Sequence, residues 1–130
     1  MGRGQMKILY TLSGEVIVGK RLGRQLGFPT ANLALSDEAV ADGVYAVRAT
    51  VNGKSLNGVA NAGTRPTVTD SPKRFLEVYL FDFEGDIYGQ TIEVELIAFL
   101  RPEQKFESVE ALRVQIEKDK SEAEEILKAR

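Results

Sequence analysis

The chain has no cysteine, no histidine and no tryptophan among its 130 residues. Without cysteine there can be no disulfide, no thiolate nucleophile and no thiolate metal site. Without histidine the commonest general base and transition-metal ligand is missing, so acid–base chemistry falls to a carboxylate, a lysine or a tyrosine. Apolar runs long enough to span a bilayer as a helix are absent too, as are a signal peptide and a lipidation pattern, so the cytoplasm is the expected compartment. Basic excess is also lacking: 17 Lys and Arg stand against 19 Asp and Glu, for a net charge of −2. A general nucleic-acid binder needs such an excess to displace phosphate counterions, so no nucleic-acid partner is expected. Internal repeats and low-complexity segments do not occur.

What is present is the composition of a soluble globule, 43% hydrophobic and 28% charged. Its length suits one domain over residues 1–130, able to bury roughly two thirds of its unfolded surface. Residues 1–12 read as a linker or cloning remnant.

The most informative segment is Gly19-Lys-Arg-Leu-Gly-Arg-Gln-Leu-Gly-Phe-Pro-Thr-Ala-Asn32. Glycines let a backbone take positive φ and approach a ligand closely. Lys20, Arg21 and Arg24 supply charge for phosphate oxygens. Pro29 pushes Phe28 to an extended conformation, so the chain leaves the loop as a strand, with Thr30 and Asn32 two apart on one face. Two neutral oxygens beside a phosphate loop suit Mg²⁺, which keeps phosphates and waters among its ligands. A membrane helix-packing stripe is excluded for want of a span, and a soluble helix would lose roughly 1 kcal/mol at each glycine. A P-loop is excluded because no Gly-Lys-Ser/Thr follows. A phosphate-binding loop and a basic glycine loop that merely joins two strands both remain.

The period of the chain is mostly two. Residues 14–19 read as a short strand, 44–51 as a longer one, and Asn52-Gly53 as a hairpin turn into a strand over 54–61. An aromatic-rich strand over 75–83 closes at a Glu84-Gly85-Asp86 turn. In the strand over 91–100, Ile92, Val94, Leu96 and Ala98 face one way. The period becomes helical over 108–128, with Ser108 as N-cap and Val109, Leu112, Ile116, Ala123 and Ile126 as the apolar stripe. Strands first and one helix last predict an antiparallel barrel or sandwich with the helix packed outside.

Glu77 shares its strand face with Phe75, Tyr79 and Phe81, while Leu76, Val78 and Leu80 cover the other. A carboxylate in such a strip is partly desolvated, which favours the neutral acid and suits a base near neutral pH. An edge-strand glutamate that reaches solvent or pairs with a lysine is the competing reading. The segment Phe99-Leu-Arg-Pro-Glu-Gln-Lys-Phe106 could lay a ring on a flat ligand and a cation on its edge, or simply join strand to helix.

Taken in order, these segments resemble the riboflavin kinase family, from about Leu12 to the C-terminus. The resemblance rests on Gly19-x-x-x-Gly23-Arg24 with Leu-Gly-Phe-Pro-Thr-Ala-Asn32, Gly43-Val-Tyr45, Gly58-Val-Ala-Asn61 and Gly63-Thr-Arg-Pro-Thr67. It continues in Leu-Glu77-Val-Tyr, Gly85-Asp-Ile-Tyr-Gly89 and Phe99-Leu-Arg-Pro-Glu103 with Lys105-Phe106. It is most like the C-terminal kinase module of bacterial bifunctional FAD synthetases. It implies a mainly β, six-stranded antiparallel Greek-key-like barrel with a C-terminal helix outside, and transfer of the ATP γ-phosphoryl to the 5′-hydroxyl of riboflavin, giving FMN.

By that resemblance Gly19, Gly23 and Arg24 hold the nucleotide phosphates. Thr30 and Asn32 bind Mg²⁺ and phosphate oxygens, and Glu77 is the base. Leu80, Asp82 and Tyr88 border the nucleotide, and Arg101, Gln104 and Phe106 form the flavin-side loop. Val18 and Tyr79 stand where the family often has histidine. A monomer that binds only riboflavin and ATP is expected, with no adenylylating module and hence no onward conversion to FAD. A non-catalytic flavin- or nucleotide-binding module, a fragment of a bifunctional chain and a plain β-barrel interaction domain are the alternatives.

Overall fold

The computed structural model describes residues 8–17, 30–65, 73–83, 87 and 89–128. Six strands occur there: β1 (Tyr10–Glu15), β2 (Thr30–Ala34), β3 (Gly43–Val51), β4 (Lys54–Arg65), β5 (Lys73–Leu80) and β6 (Thr91–Arg101). They form one antiparallel sheet in the order β1-β6-β3-β4-β5-β2. The sheet curls into a half-barrel, and just beyond β1 the Ile17 N–H donates to the Asn32 carbonyl of β2 at 2.8 Å, bridging toward the other edge. One helix follows, α1 (Val109–Lys128).

Local chemistry accounts for the joints. Asn52 and Gly53 both have positive φ (51° and 79°), the geometry of a tight primed turn, and they join β3 to β4. Gly43 has φ 145° and lies under Phe99, whose ring a Cβ would strike. Ser108 caps α1, its Oγ accepting the Ala111 N–H at 3.0 Å. The Arg74 guanidinium gathers the β2–β3 connection, donating to the Val40 carbonyl at 2.5 Å and pairing with Asp42 at 2.7 Å.

The period-two alternation sorts side chains into two cores. Leu76, Val78 and Leu80 join Val47, Ala49, Ile92, Val94 and Leu96 inside the barrel. Val44, Ala46, Val59, Tyr79 and Phe81 face outward and are covered by Ile116, Ala123 and Leu127 of α1. The helix therefore packs outside the sheet, as expected.

Several boundaries differ from the sequence reading. The first strand starts at Tyr10, so residues 10–12 belong to the sheet rather than to a linker; Tyr10, Thr11 and Leu12 pair with Leu96, Glu95 and Val94 of β6. The same strand ends at Glu15, before much of the 14–19 segment expected to form it. β4 runs on to Arg65, and β5 stops at Leu80 because Asp82 turns to φ 55°. On α1 the buried stripe is Ile116, Asp119, Ala123 and Leu127, while Val109 is exposed and Ile126 only half-buried. Ala98 does not share the inner face with Leu96. Two register shifts against β3, between Ala46 and Val47 and between Val44 and Tyr45, bulge β6. The first moves Ala98 to the helix side, and the second brings Arg101 opposite outward-facing Val44. The Glu84–Asp86 turn lies outside the described residues.

Candidate functional site

Directly opposed residues of antiparallel strands project to the same side. On the outer face the register therefore lines up one row across five strands: Asn32 on β2, Glu77 on β5, Asn61 on β4, Val44 on β3 and Arg101 on β6. A parallel row carries Thr30, Tyr79, Val59 and Ala46. Glu77 is half-buried and sits on an interior strand, between β2 and β4, so the edge-strand reading is corrected. Thr30 and Asn32 share one face, as their spacing predicts, and Asn32 is the cross-strand neighbour of Glu77.

Between this face, α1 and the β6–α1 connection lies a cavity of about 500 Å³, within the usual range for a small-molecule site. Its floor includes Val59, Asn61, Glu77 and Tyr79, and its opposite walls are Phe106, Leu112 and Ile116. Of the residues singled out from the sequence, Glu77, Arg101, Gln104 and Phe106 meet here.

Arg101 is anchored to α1. Its Nε donates to Asp119 Oδ1 at 2.9 Å and its Nη2 to Asp119 Oδ2 at 2.8 Å, a bidentate pair. Gln115 Nε2 donates to the same Oδ1 at 3.0 Å. Asp119 is only 2% exposed, and it is the one buried charge among the described residues. A buried carboxylate is tolerable only where its charge and lone pairs are met, and three donors meet them here. The guanidinium carbon also lies 5.8 Å from the centre of the Phe106 ring, within cation–π range. Arg101, where β6 ends, thus joins the helix to the aromatic ring of the β6–α1 connection. Glu103 of the same connection packs over Gly63 of β4, where a Cβ would collide with its carboxylate.

Other expected site residues fall elsewhere. Leu80 is 1% exposed within the barrel core, so its side chain does not line the cavity. Asp82 is exposed just beyond β5. Gly19, Gly23, Arg24 and Tyr88 lie outside the described residues. Asp119, Gln115 and Asn61 were not singled out. The signal for Asp119 was its place on the apolar stripe, three residues after Ile116 and four before Ala123. For Asn61 it was a polar residue between outward-facing Val59 and Gly63.

As a metal centre the described residues offer little charge: no group of three or more acidic residues is arranged to hold an ion. Thr30 and Asn32 present neutral oxygens on one face, a donor set that fits Mg²⁺ brought in with phosphates rather than held by the protein alone. Among the described residues no helix is long and apolar enough to cross a membrane.

A family model described as flavokinase, riboflavin kinase, matches residues 6–127. A Bacillus subtilis protein named RNA-binding riboflavin kinase is 47% identical over 108 residues, covering 83% of this chain and 47% of that protein. A bifunctional riboflavin kinase/FMN adenylyltransferase of Haemophilus influenzae is 50% identical over 112 residues, covering 85% of this chain and 36% of that protein. The chain thus spans under half the length of these curated relatives. Among solved structures, the riboflavin kinase of Trypanosoma brucei superposes with a TM-score of 0.61 at 25% identity, covering 91% of this chain and 79% of that one. A Streptococcus pneumoniae protein described as a macrolide-efflux protein superposes with a TM-score of 0.76 at 37% identity, covering 85% of this chain and 37% of that one.

Proposed function

The chain belongs to the riboflavin kinase family, and from that membership we propose that it transfers the γ-phosphoryl group of ATP to the 5′-hydroxyl of riboflavin, releasing FMN and ADP. The observation that carries this reading is the position of Glu77. It stands in the outer row between Asn32 on one side and the cavity with Asn61 on the other. A base for this reaction must stand where the acceptor alcohol meets the phosphoryl donor, and Glu77 occupies such a junction.

The flavin ring fits the cavity side. Phe106 offers a flat apolar surface, and Arg101, held by Asp119, presents a preorganised cation at the ring's polar edge. At roughly 4.8 Å per strand, Arg101 lies about 14 Å along the sheet from Glu77, three strands away. That separation leaves room for a ring at one end and an alcohol chain reaching the carboxylate at the other. The nucleotide phosphates fall on the β2 side, beside Thr30 and Asn32. Those two residues would hold Mg²⁺, which neutralises charge on the phosphates when bound.

In the step itself, the Glu77 carboxylate takes the proton of the 5′-hydroxyl. The alcohol oxygen bonds to the γ-phosphorus, and the bond to the β–γ bridging oxygen breaks, leaving ADP. Phosphoryl transfer is loose, so positioning dominates and the base contributes a smaller share. Residues of the Arg101–Phe106 segment wall the cavity on one side, which limits the access of water as a competing acceptor.

The test is direct: purified protein is incubated with riboflavin and Mg-ATP, and flavins are separated by chromatography. FMN with stoichiometric ADP is expected. Absence of FMN across several nucleotides and divalent metals would overturn the reading.

A further inference from the structure

The cavity floor holds one polar atom that the protein leaves unmet. Asn61 Oδ1 is buried and, among the described residues, accepts no hydrogen bond. Its cross-strand neighbours in the outer row cannot supply a donor. Val44 on β3 is apolar, and the Glu77 carboxylate on β5, when ionised, only accepts. Its neighbours along β4 on the same face, Val59 and Gly63, carry no polar side chain. Leaving a buried acceptor unpaired is costly, and natural proteins rarely do so without a reason. The atom belongs to a residue that lines the cavity directly beside Glu77.

We propose that Asn61 is a specificity-determining residue, its side-chain oxygen accepting a hydrogen bond from a secondary hydroxyl of the ribityl chain near its reacting end. The proposal rests on the kinase reading and deepens it. Directly opposed side chains stand about 5 Å apart at Cβ. A chain whose terminal hydroxyl reaches Glu77 therefore passes over Asn61 with the hydroxyls one or two carbons back. A site that bonds a substrate hydroxyl rejects the analogue lacking it far better than an apolar pocket could, because the protein's own acceptor is then left unmet. Asn61 would thus select a polyhydroxylated chain over a plain alkyl alcohol, while Glu77 serves only the terminal hydroxyl.

The experiment compares two acceptors in wild type and in two variants, Asn61→Leu and Asn61→Ala. The acceptors are riboflavin and the same ring carrying a 5-hydroxypentyl chain, which keeps the reacting hydroxyl and lacks the secondary ones. Wild type should prefer riboflavin in kcat/KM, and Asn61→Leu should erase roughly tenfold or more of that preference. The loss should arise on riboflavin, with the KM for ATP unchanged. Asn61→Ala should show the same trend, which guards against poor folding of the leucine variant. A third acceptor, riboflavin methylated at ring N3, separates the chain from the ring. If the Asn61 effect vanishes with this acceptor instead, the amide serves the ring edge and the proposal is wrong. Unchanged discrimination in both variants also overturns it. Failure of wild type to phosphorylate riboflavin would instead sink the kinase reading, so the two failures are told apart.

Discussion

Leu76 and Glu77 are consecutive in β5, yet one is 0% exposed inside the barrel and the other stands half-buried on the floor of the cavity. The contrast extends to the whole sheet. The inner face packs Val47, Ala49, Leu76, Val78, Ile92, Val94 and Leu96, every one apolar and closed to solvent. The outer face carries apolar Val44, Val59 and Tyr79 together with Asn32, Asn61, Glu77 and Arg101, and the buried Asp119 of α1 lies over it. Alternation within each strand thus separates the groups that hold the barrel together from those available for chemistry. The inner face gains from close packing, and its buried Tyr45 hydroxyl is met by the Ala41 carbonyl at 2.7 Å. The outer face gives up some of that packing for a cavity and polar groups, and α1 covers the remainder.

The separation is open to attack from both sides, and the largest effect should come from the outer face. Glu77→Gln should lower kcat by roughly 10²–10⁴-fold with modest KM changes, the usual range for a lost base, while the fold survives. Steady-state kinetics on folded protein reads both. Near-normal turnover in folded Glu77→Gln would move the search for a base to Asp82, Asp86 or Glu103.

The inner face should answer in the opposite currency. Leu96→Ala should cost about 2–5 kcal/mol of stability by leaving a cavity in a closed core. Its kcat and both KM values, taken on folded protein, should stay within about twofold. Denaturant titration measures the first and initial rates the second. A large kinetic effect would show that the two faces are coupled.

Arg101→Ala and Phe106→Ala test the cavity end alone. Each should raise the riboflavin KM by roughly tenfold while leaving the ATP KM nearly unchanged, because ring contacts are lost and phosphate contacts are not. Asp119→Asn should reproduce part of the rise, since Arg101 loses its charged anchor. Equal effects on both substrates would assign these residues to the fold. The smallest effect belongs to Ser108→Ala, which removes the cap of α1 and should cost about 1 kcal/mol with no kinetic signature.

The local rules read well from the sequence. Asn52-Gly53 could hardly be anything but a tight turn, Ser108 caps the helix it precedes, and the alternation of β5 assigns its two faces. What escaped depends on partners distant in the chain. Tyr10–Leu12 look unremarkable alone and become a strand because β6 offers them a pairing edge. Asp119 interrupts an apolar stripe, and its charge is tolerable chiefly because Arg101, 18 positions earlier, pairs with it. Asn61 was visible as part of a motif, but its unmet acceptor exists only once Glu77 and Val44 flank it. The Leu80 side chain turns inward, as its parity with Leu76 and Val78 indicates.

The two bulges of β6 carry a consequence for how this strand can change in length. In an alternating strand, side is a matter of odd and even, and each extra residue flips the count. Ala98 lies after one flip and Arg101 after two, so the flips cancel by the time the arginine is reached. Deleting a single residue between Leu96 and Arg101 would leave an odd number and swing the guanidinium into the barrel, stranding Asp119 beneath the helix. Removing two would restore the side at the expense of reach. Length variation in this stretch should therefore be tolerated only in steps of two.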